Sequence, residues 1–148
     1  MKRQQKGKRQ GELVELKFYF KAYQEGFIAS KPFGDSAHYD FVLDFQSRLS
    51  RVQVKSTNNT NYRNRYRFMT GYGHKNKTCY SKKDTDCLVG YIISENIWYV
   101  FPIEYLLGKS TLSVYPHNGE HETNLFKERW DLLKRPTLRV RMIRELHN

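Results

Sequence analysis

Two neighbouring stretches, His38-Tyr39-Asp40-Phe41-Val42-Leu43-Asp44-Phe45 and Arg51-Val52-Gln53-Val54-Lys55-Ser56-Thr57, decide the fold. In the first, Tyr39, Phe41, Leu43 and Phe45 fall on one face and Asp40, Val42 and Asp44 on the other, the period of a β-strand. The second alternates again. Val52 and Val54 share one face, and Arg51, Gln53 and Lys55 leave the opposite one. Residues 46–50 are short enough to close the two strands as a hairpin, which brings Asp40 beside Gln53 and Lys55.

Working outward, Leu13, Leu16, Phe20 and Tyr23 recur at helical spacing and predict a helix over 11–25, with Gly26 in the C-cap position. Residues 1–9 read as a flexible basic arm. Residues 27–30 are short and strand-like, and 31–36, with Pro, Gly, Asp and Ser, form a turn. Residues 62–68 read as a strand or a long hairpin arm within a polar, basic and aromatic region. Residues 86–94 and 97–103 predict two central strands joined at Glu95-Asn96. A short helix is expected to start near Pro102, and a short strand at 112–115. Residues 122–134 predict a helix with Leu125, Phe126, Trp130 and Leu133 inward, while 137–143 fit either a strand or a helix. There is no internal repeat and no low-complexity linker. The expectation is one domain over 1–148, α/β (α+β), with a central mixed sheet flanked by helices.

The 148 residues suit one domain with its own core. The longest apolar runs, 87–93 and 97–103, are far shorter than the roughly 20 residues of a membrane span, so no membrane partner is expected. The N-terminal charges are not followed by the apolar stretch of a secretory signal. Cys79 and Cys87 match neither a metal-ligand spacing nor a disulfide framework. The expected setting is cytoplasmic, in a prokaryote or an organelle.

Charge points to the partner. The chain carries 26 Lys+Arg against 15 Asp+Glu, a net +11. No acidic residue occurs from Phe45 to Lys83, where ten basic ones do. Polyanion binding through counterion release is the physical reading. The expected phosphate and groove contacts are Lys6, Lys8 and Arg9 of the arm, with Arg63, Arg65, Arg67, Lys75, Lys77, Lys82 and Lys83. Tyr62, Tyr66, Phe68, Tyr72 and Tyr80, interleaved among them, fit base stacking and core packing equally.

Glu15, Asp40, Gln53 and Lys55 carry the chemistry. Hydrolysis of a phosphodiester needs a hard cation on oxygen ligands, an oriented water, and positive charge near the developing oxyanion. The hairpin brings Asp40 to Gln53 and Lys55, and Glu15 completes the group from the helix, with Glu12 as its competitor. Two carboxylates, an amide oxygen and an ammonium then converge. Asp40 between Tyr39 and Phe41 is hard to explain as a solvated residue.

The string Gly11-Glu-Leu-Val-Glu-Leu-Lys17, then Tyr39-Asp40, then Arg51-Val-Gln-Val-Lys55 resembles the PD-(D/E)XK nuclease superfamily. Within it the chain is similar to the small group I intron-associated homing endonucleases of bacteria and cyanobacteria, which have Gln where the second acid usually stands. The resemblance extends through Trp98-Tyr-Val-Phe-Pro102 to the region of Trp130. It implies Asp40 as the central metal ligand, with Gln53, the Val54 carbonyl and Glu15 around it, and Lys55 acting on water and phosphate. It implies Mg²⁺, with Mn²⁺ as a substitute, and no small-molecule cofactor. Gln53 removes one negative charge from that site.

The expected activity is a sequence-specific, Mg²⁺-dependent endonuclease on double-stranded DNA. Alternatives are a Holliday-junction resolvase-like structure-specific nuclease and a non-catalytic nucleic-acid-binding protein on a nuclease fold. A double-strand cut needs two sites, so a homodimer or homotetramer is expected. His117-Asn-Gly-Glu-His121 spells a zinc-protease pattern, but Pro116, Asn118 and Gly119 argue for a turn rather than the helix it needs. Asp84 and Asp86 read as anchors for the following strand.

Overall fold

The computed structural model describes residues 2–58, 60–62 and 64–148, with the backbone alone at 60–62. Arg63, expected among the DNA contacts, lies outside the described residues. The chain opens with a long helix, α1 (Arg3–Gln24), followed by β1 (Ile28–Ser30), β2 (Phe41–Phe45) and β3 (Arg48–Thr57). Four short strands come next: β4 (Thr60–Tyr62), β5 (Arg65–Met69), β6 (Gly71–Tyr72) and β7 (Thr78–Cys79). Then come β8 (Cys87–Ile92), β9 (Ile97–Pro102), α2 (Ile103–Leu106), β10 (Thr111–Val114), a 3₁₀ turn (Glu122–Phe126), α3 (Asp131–Lys134) and α4 (Pro136–Leu146).

The central sheet runs β1-β2-β3-β8-β9. The β2–β3 hairpin is antiparallel, β3 and β8 are parallel, and β8 and β9 are antiparallel. This is the mixed sheet expected. Every residue of β8 is buried, as a continuous apolar run in a central strand requires. On one face, β5 sits in a small sheet between β4 and β10 and presses Phe68 onto Gly90 of β8. A Cβ on Gly90 would lie 2.7 Å from Phe68 Cζ, so only glycine admits that ring.

α1 covers the other face. It packs inward through Val14, Phe18 and Ala22, and the Phe18 ring centroid is 4.8 Å from that of Phe41 and 6.1 Å from those of Trp98 and Trp130. The residues whose spacing predicts the helix are not the ones that pack inward. Leu13, Leu16, Phe20 and Tyr23 are 54, 67, 65 and 50% exposed. α1 carries two apolar stripes, and the sheet takes the one spaced i, i+4, i+8. The helix also begins at Arg3, so the residues expected in a flexible arm form its first turns; Lys, Arg and Gln are good helix formers.

A further difference lies near the C-terminus. Residues 122–134 are not one helix. Lys127 bridges to Tyr99 at the edge of the sheet, and Glu128 takes φ +54°. The Glu128 carboxylate then accepts from Trp98 N at 2.9 Å and from Trp130 Nε1 at 3.0 Å. Phe126, Trp130 and Leu133 are buried as expected, but Leu125 is exposed. The strand-or-helix segment is helical, with Pro136 in the first turn of α4.

Asp86 anchors its strand as expected. It binds the backbone N–H of Arg51 at 2.7 Å and the guanidinium at 2.9 Å. The same guanidinium donates to the carbonyls of Lys82 and Lys83. Arg51 thus clamps the 81–86 turn to β3, next to the residues of the site.

Candidate active site

The hairpin register fixes the centre of the site. Phe41 pairs with Val52, so Asp40, just before β2, falls opposite Gln53. The Asp40 N–H donates to the Val52 carbonyl at 2.9 Å, which holds that alignment. Asp40 Oδ2 accepts from Val54 N and from Gln53 Nε2, each at 2.8 Å. Gln53 Nε2 also reaches the Val54 carbonyl oxygen at 3.3 Å. Lys55 lies two residues along β3, and its Nζ stands 5.6 Å from the centroid of the Tyr80 ring. Glu15 arrives from α1, half-buried, and accepts a hydrogen bond from Lys31 Nζ. Lys31 in turn lies over the Phe41 ring, 5.1 Å from its centroid.

The electrostatics follow from this packing. Burial raises the Asp40 pKa, and the nearby Glu15 charge raises it further. The Val54 N–H, Lys55 and Lys31 oppose that shift. Burial lowers the Lys55 pKa and the like charge of Lys77 adds to the effect, while Asp40 works against it. Burial, with Asp40 next in weight, pushes the Tyr80 phenol up to about 12. A half-buried carboxylate beside a second one, with an ammonium close by, is an arrangement suited to hold a cation and a phosphate together.

The family model for PD-(D/E)XK endonucleases matches residues 5–132. The chain belongs to the PD-(D/E)XK endonuclease family. The match takes in α1, the β2–β3 hairpin and every strand of the central sheet. Among solved structures, the fold is similar to that of the bacterial homing endonuclease I-Ssp6803I, with a TM-score of 0.77 and 24% identity. That match covers 88% of this chain and 95% of the other. No curated protein matches the sequence.

As a PD-(D/E)XK endonuclease the chain has an unusual donor set. Among the described residues no three His, Cys, Asp or Glu side chains converge as a metal site. A cation held here could draw on the carboxylates of Asp40 and Glu15, with the Val54 carbonyl and the Gln53 amide beside them. All are hard oxygen donors, the type that Mg²⁺ takes along with water and phosphate. The donors already seated there fit the same reading: Lys31 Nζ on Glu15, and Gln53 Nε2 between Asp40 and the Val54 oxygen, place positive hydrogens where a cation would act. With the amide in this orientation its nitrogen, not its oxygen, faces Asp40. A half-turn of the amide plane exchanges the two.

The structure brings together all four residues expected in this endonuclease's centre. Of the two glutamates weighed for the helix carboxylate, Glu15 is the one whose charge acts on Asp40; Glu12 is exposed. The sequence reading does not place Lys31 or Tyr80 in the centre: Lys31 opens a turn, and Tyr80 reads as one of five aromatics for stacking or packing. Tyr80 is 4% exposed and sits beyond the β6–β7 hairpin, against Tyr72, whose ring stacks on His38 at 4.2 Å.

Of the expected DNA contacts, Lys6, Lys8 and Arg9 are exposed on the first turns of α1. Arg67, Lys75, Lys77, Lys82 and Lys83 are exposed too, and Arg65 is half-buried with its Nε unpartnered. His117 and His121 lie outside any α-helix; His117 pairs with Glu95 at 2.6 Å and His121 caps the 3₁₀ turn.

Proposed function

We propose that this nuclease hydrolyses phosphodiester bonds of duplex DNA at a specific sequence, as a homing-type endonuclease that uses Mg²⁺, with Mn²⁺ as a substitute. The observation that carries the reading is the Asp40–Gln53 contact of 2.8 Å across the hairpin, with Lys55 on the same face. It joins one ionisable acceptor, one amide and one ammonium on two strands that hydrogen-bond each other.

Asp40 and Glu15 would hold the divalent ion, with the Val54 carbonyl and the Gln53 amide oxygen beside them. When bound, such an ion polarises the phosphoryl oxygen and lowers the pKa of an attacking water. Lys55 donates to a non-bridging phosphate oxygen and offsets charge as it develops there. Its half-buried position makes that charge count for more than it would in water. The Tyr80 ring holds the ammonium on that side of the pocket through a cation–π contact. Gln53 keeps the site less negative than a second acid would.

The exposed basic residues from Arg67 to Lys83, together with those of α1, supply phosphate contacts. Such contacts position a duplex and carry most of its salt dependence, whereas base edges carry the sequence.

The test is digestion of a random-sequence plasmid library and of a four-way junction, with Mg²⁺ or EDTA, alongside Asp40→Asn. Discrete Mg²⁺-dependent fragments from the native chain alone are expected. Cleavage confined to junctions would replace sequence specificity with structure specificity. Binding without cleavage, unchanged by Asp40→Asn or by EDTA, would overturn the catalytic reading.

A further inference from the structure

Residues 82–86 read Lys-Lys-Asp-Thr-Asp, two cations against two anions. The fold separates them. Asp84 is drawn into its own turn: Oδ2 accepts from the N–H and the hydroxyl of Ser81 at 2.8 and 2.9 Å, and the Ser81 hydroxyl accepts the Lys83 N–H at 3.2 Å. Asp86 is drawn to β3, where it meets the backbone and the guanidinium of Arg51. Both lysines are left exposed, Lys82 with Glu104 at 3.9 Å from its Nζ.

Arg51 holds this arrangement from beneath. Its Nη1 and Nη2 donate to the carbonyls of Lys83 and Lys82 at 2.7 and 2.8 Å, while Nη2 and Nε grip the two Asp86 oxygens at 2.9 and 3.3 Å. The Arg51 carbonyl accepts the Asp86 N–H at 3.1 Å and the Thr85 hydroxyl at 3.0 Å. A planar, forked guanidinium serves two carbonyls and a carboxylate at once, which an ammonium does not. Of residues 82–86 only Thr85 is buried, so hydrogen bonds rather than apolar packing set the shape of the turn. Two like charges fixed side by side repel, and a polyanion relieves that repulsion.

We propose that Arg51 is a positioning residue for DNA: without touching the substrate, it sets Lys82 and Lys83 as a rigid grip on two backbone phosphates beside the candidate centre. Arg51 precedes Gln53 by two residues on β3, so grip and centre hang from one strand. At the other end of the turn the Tyr80 ring lies 5.6 Å from Lys55 Nζ, and Lys82 stands two residues, at most about 7 Å of chain, beyond Tyr80. Phosphate contacts fix the register of a duplex without reading its sequence. Held in advance, the two ammonium groups lose less freedom on binding than a mobile pair would. The choice of a DNA backbone as ligand rests on the nuclease reading.

Affinity for a short random-sequence DNA duplex in EDTA, read across a range of salt, tests this without cleavage. Lys82→Gln with Lys83→Gln should flatten the slope of log affinity against log salt by about 1.8, the value for two phosphate contacts. Arg51→Lys keeps the charge, yet should weaken binding by about three- to tenfold as the clamp is lost. In the Lys82→Gln, Lys83→Gln background the same change should have no effect, because Arg51 acts through those two residues. A merely structural role predicts equal losses in both backgrounds. Hydrogen exchange reads the cause: amides of residues 81–85 should exchange about tenfold faster or more in Arg51→Lys, with those of β8 unchanged. Asp86→Asn breaks the same clamp more mildly, should follow the same pattern, and replaces Arg51→Lys if that variant does not fold. An Arg51→Lys chain of native affinity, an equal loss in the lysine-free background, a slope that the paired Gln variant leaves unchanged, or a turn that exchanges no faster would each overturn the proposal. A chain that gives the expected cycle yet cuts no DNA would overturn the nuclease reading alone.

Discussion

Gln53 Nε2 lies 2.8 Å from Asp40 Oδ2, and the same carboxylate oxygen accepts the Val54 N–H at an equal distance. Both donors belong to β3, so the strand that supplies Lys55 also aims the acid. Two hydrogen bonds do not repay the burial of the charge, because the Asp40 pKa still stands above its ordinary value. Relative to water, burial favours the neutral form, and the two donors offset that only in part.

Asp40→Asn should therefore stabilise the protein at neutral pH in EDTA. The sign follows from linkage: a carboxyl raised in the folded state favours folding below its unfolded pKa and loses that contribution as pH rises through its folded pKa. Melting temperatures of the two proteins should converge at low pH and separate, with the Asn form higher, as pH climbs out of the carboxylate range. A constant gap at every pH would mean that Asp40 burial is not its source.

Lys31→Met should tighten Mn²⁺ binding in the absence of DNA. Lys31 Nζ holds Glu15 and competes with any cation for that carboxylate. Because the ammonium is more than half exposed, the gain should be modest, about two- to fivefold. Calorimetric or spin-resonance titration reads it, and Glu15→Gln should cancel the difference.

Lys55→Ala should lower the single-turnover cleavage rate by about a hundredfold or more, while duplex affinity stays within about tenfold. The side chain acts on charge that develops in the reaction. It is one cation among many for binding.

Tyr80 separates ring from hydroxyl. Tyr80→Phe keeps the face that meets Lys55 and should retain most activity, whereas Tyr80→Leu removes it and should lower kcat with little change in KM. Equal losses in the two variants would shift the role to the hydroxyl.

Gly90→Ala should cost about 1–3 kcal/mol, as overpacking does in a closed core. The Phe68 ring that the new methyl would strike is itself fully buried, against Tyr99 and Phe101. Chemical denaturation should report the loss with an unchanged m-value.

The hairpin and its three polar residues were legible because strand alternation is local and short loops leave one pairing. The inward face of α1 was not. Its two apolar stripes are equally periodic, and only the sheet, through Phe41, Trp98 and Trp130, selects Val14, Phe18 and Ala22. The break at Lys127 and Glu128 has the same cause, since its partners Tyr99 and Trp98 are some thirty residues away. Lys31 and Tyr80 reach the centre only through tertiary closure, which leaves no local period to read.

β3 pairs with β2 as far as Val52 and with the wholly buried β8 from Val52 to Thr57. The amide protons by which this strand bonds to β8 should therefore exchange with solvent only when the whole domain opens, whereas the Val54 N–H is held by the Asp40 carboxylate. Glu15 and Lys31 stand outside that sheet, one on a surface helix and one in a loop. The candidate centre thus has a fixed wall and an adjustable one. Heating should abolish cleavage in a single step with global melting if the fixed wall governs, and any loss at lower temperature should trace to the α1 side.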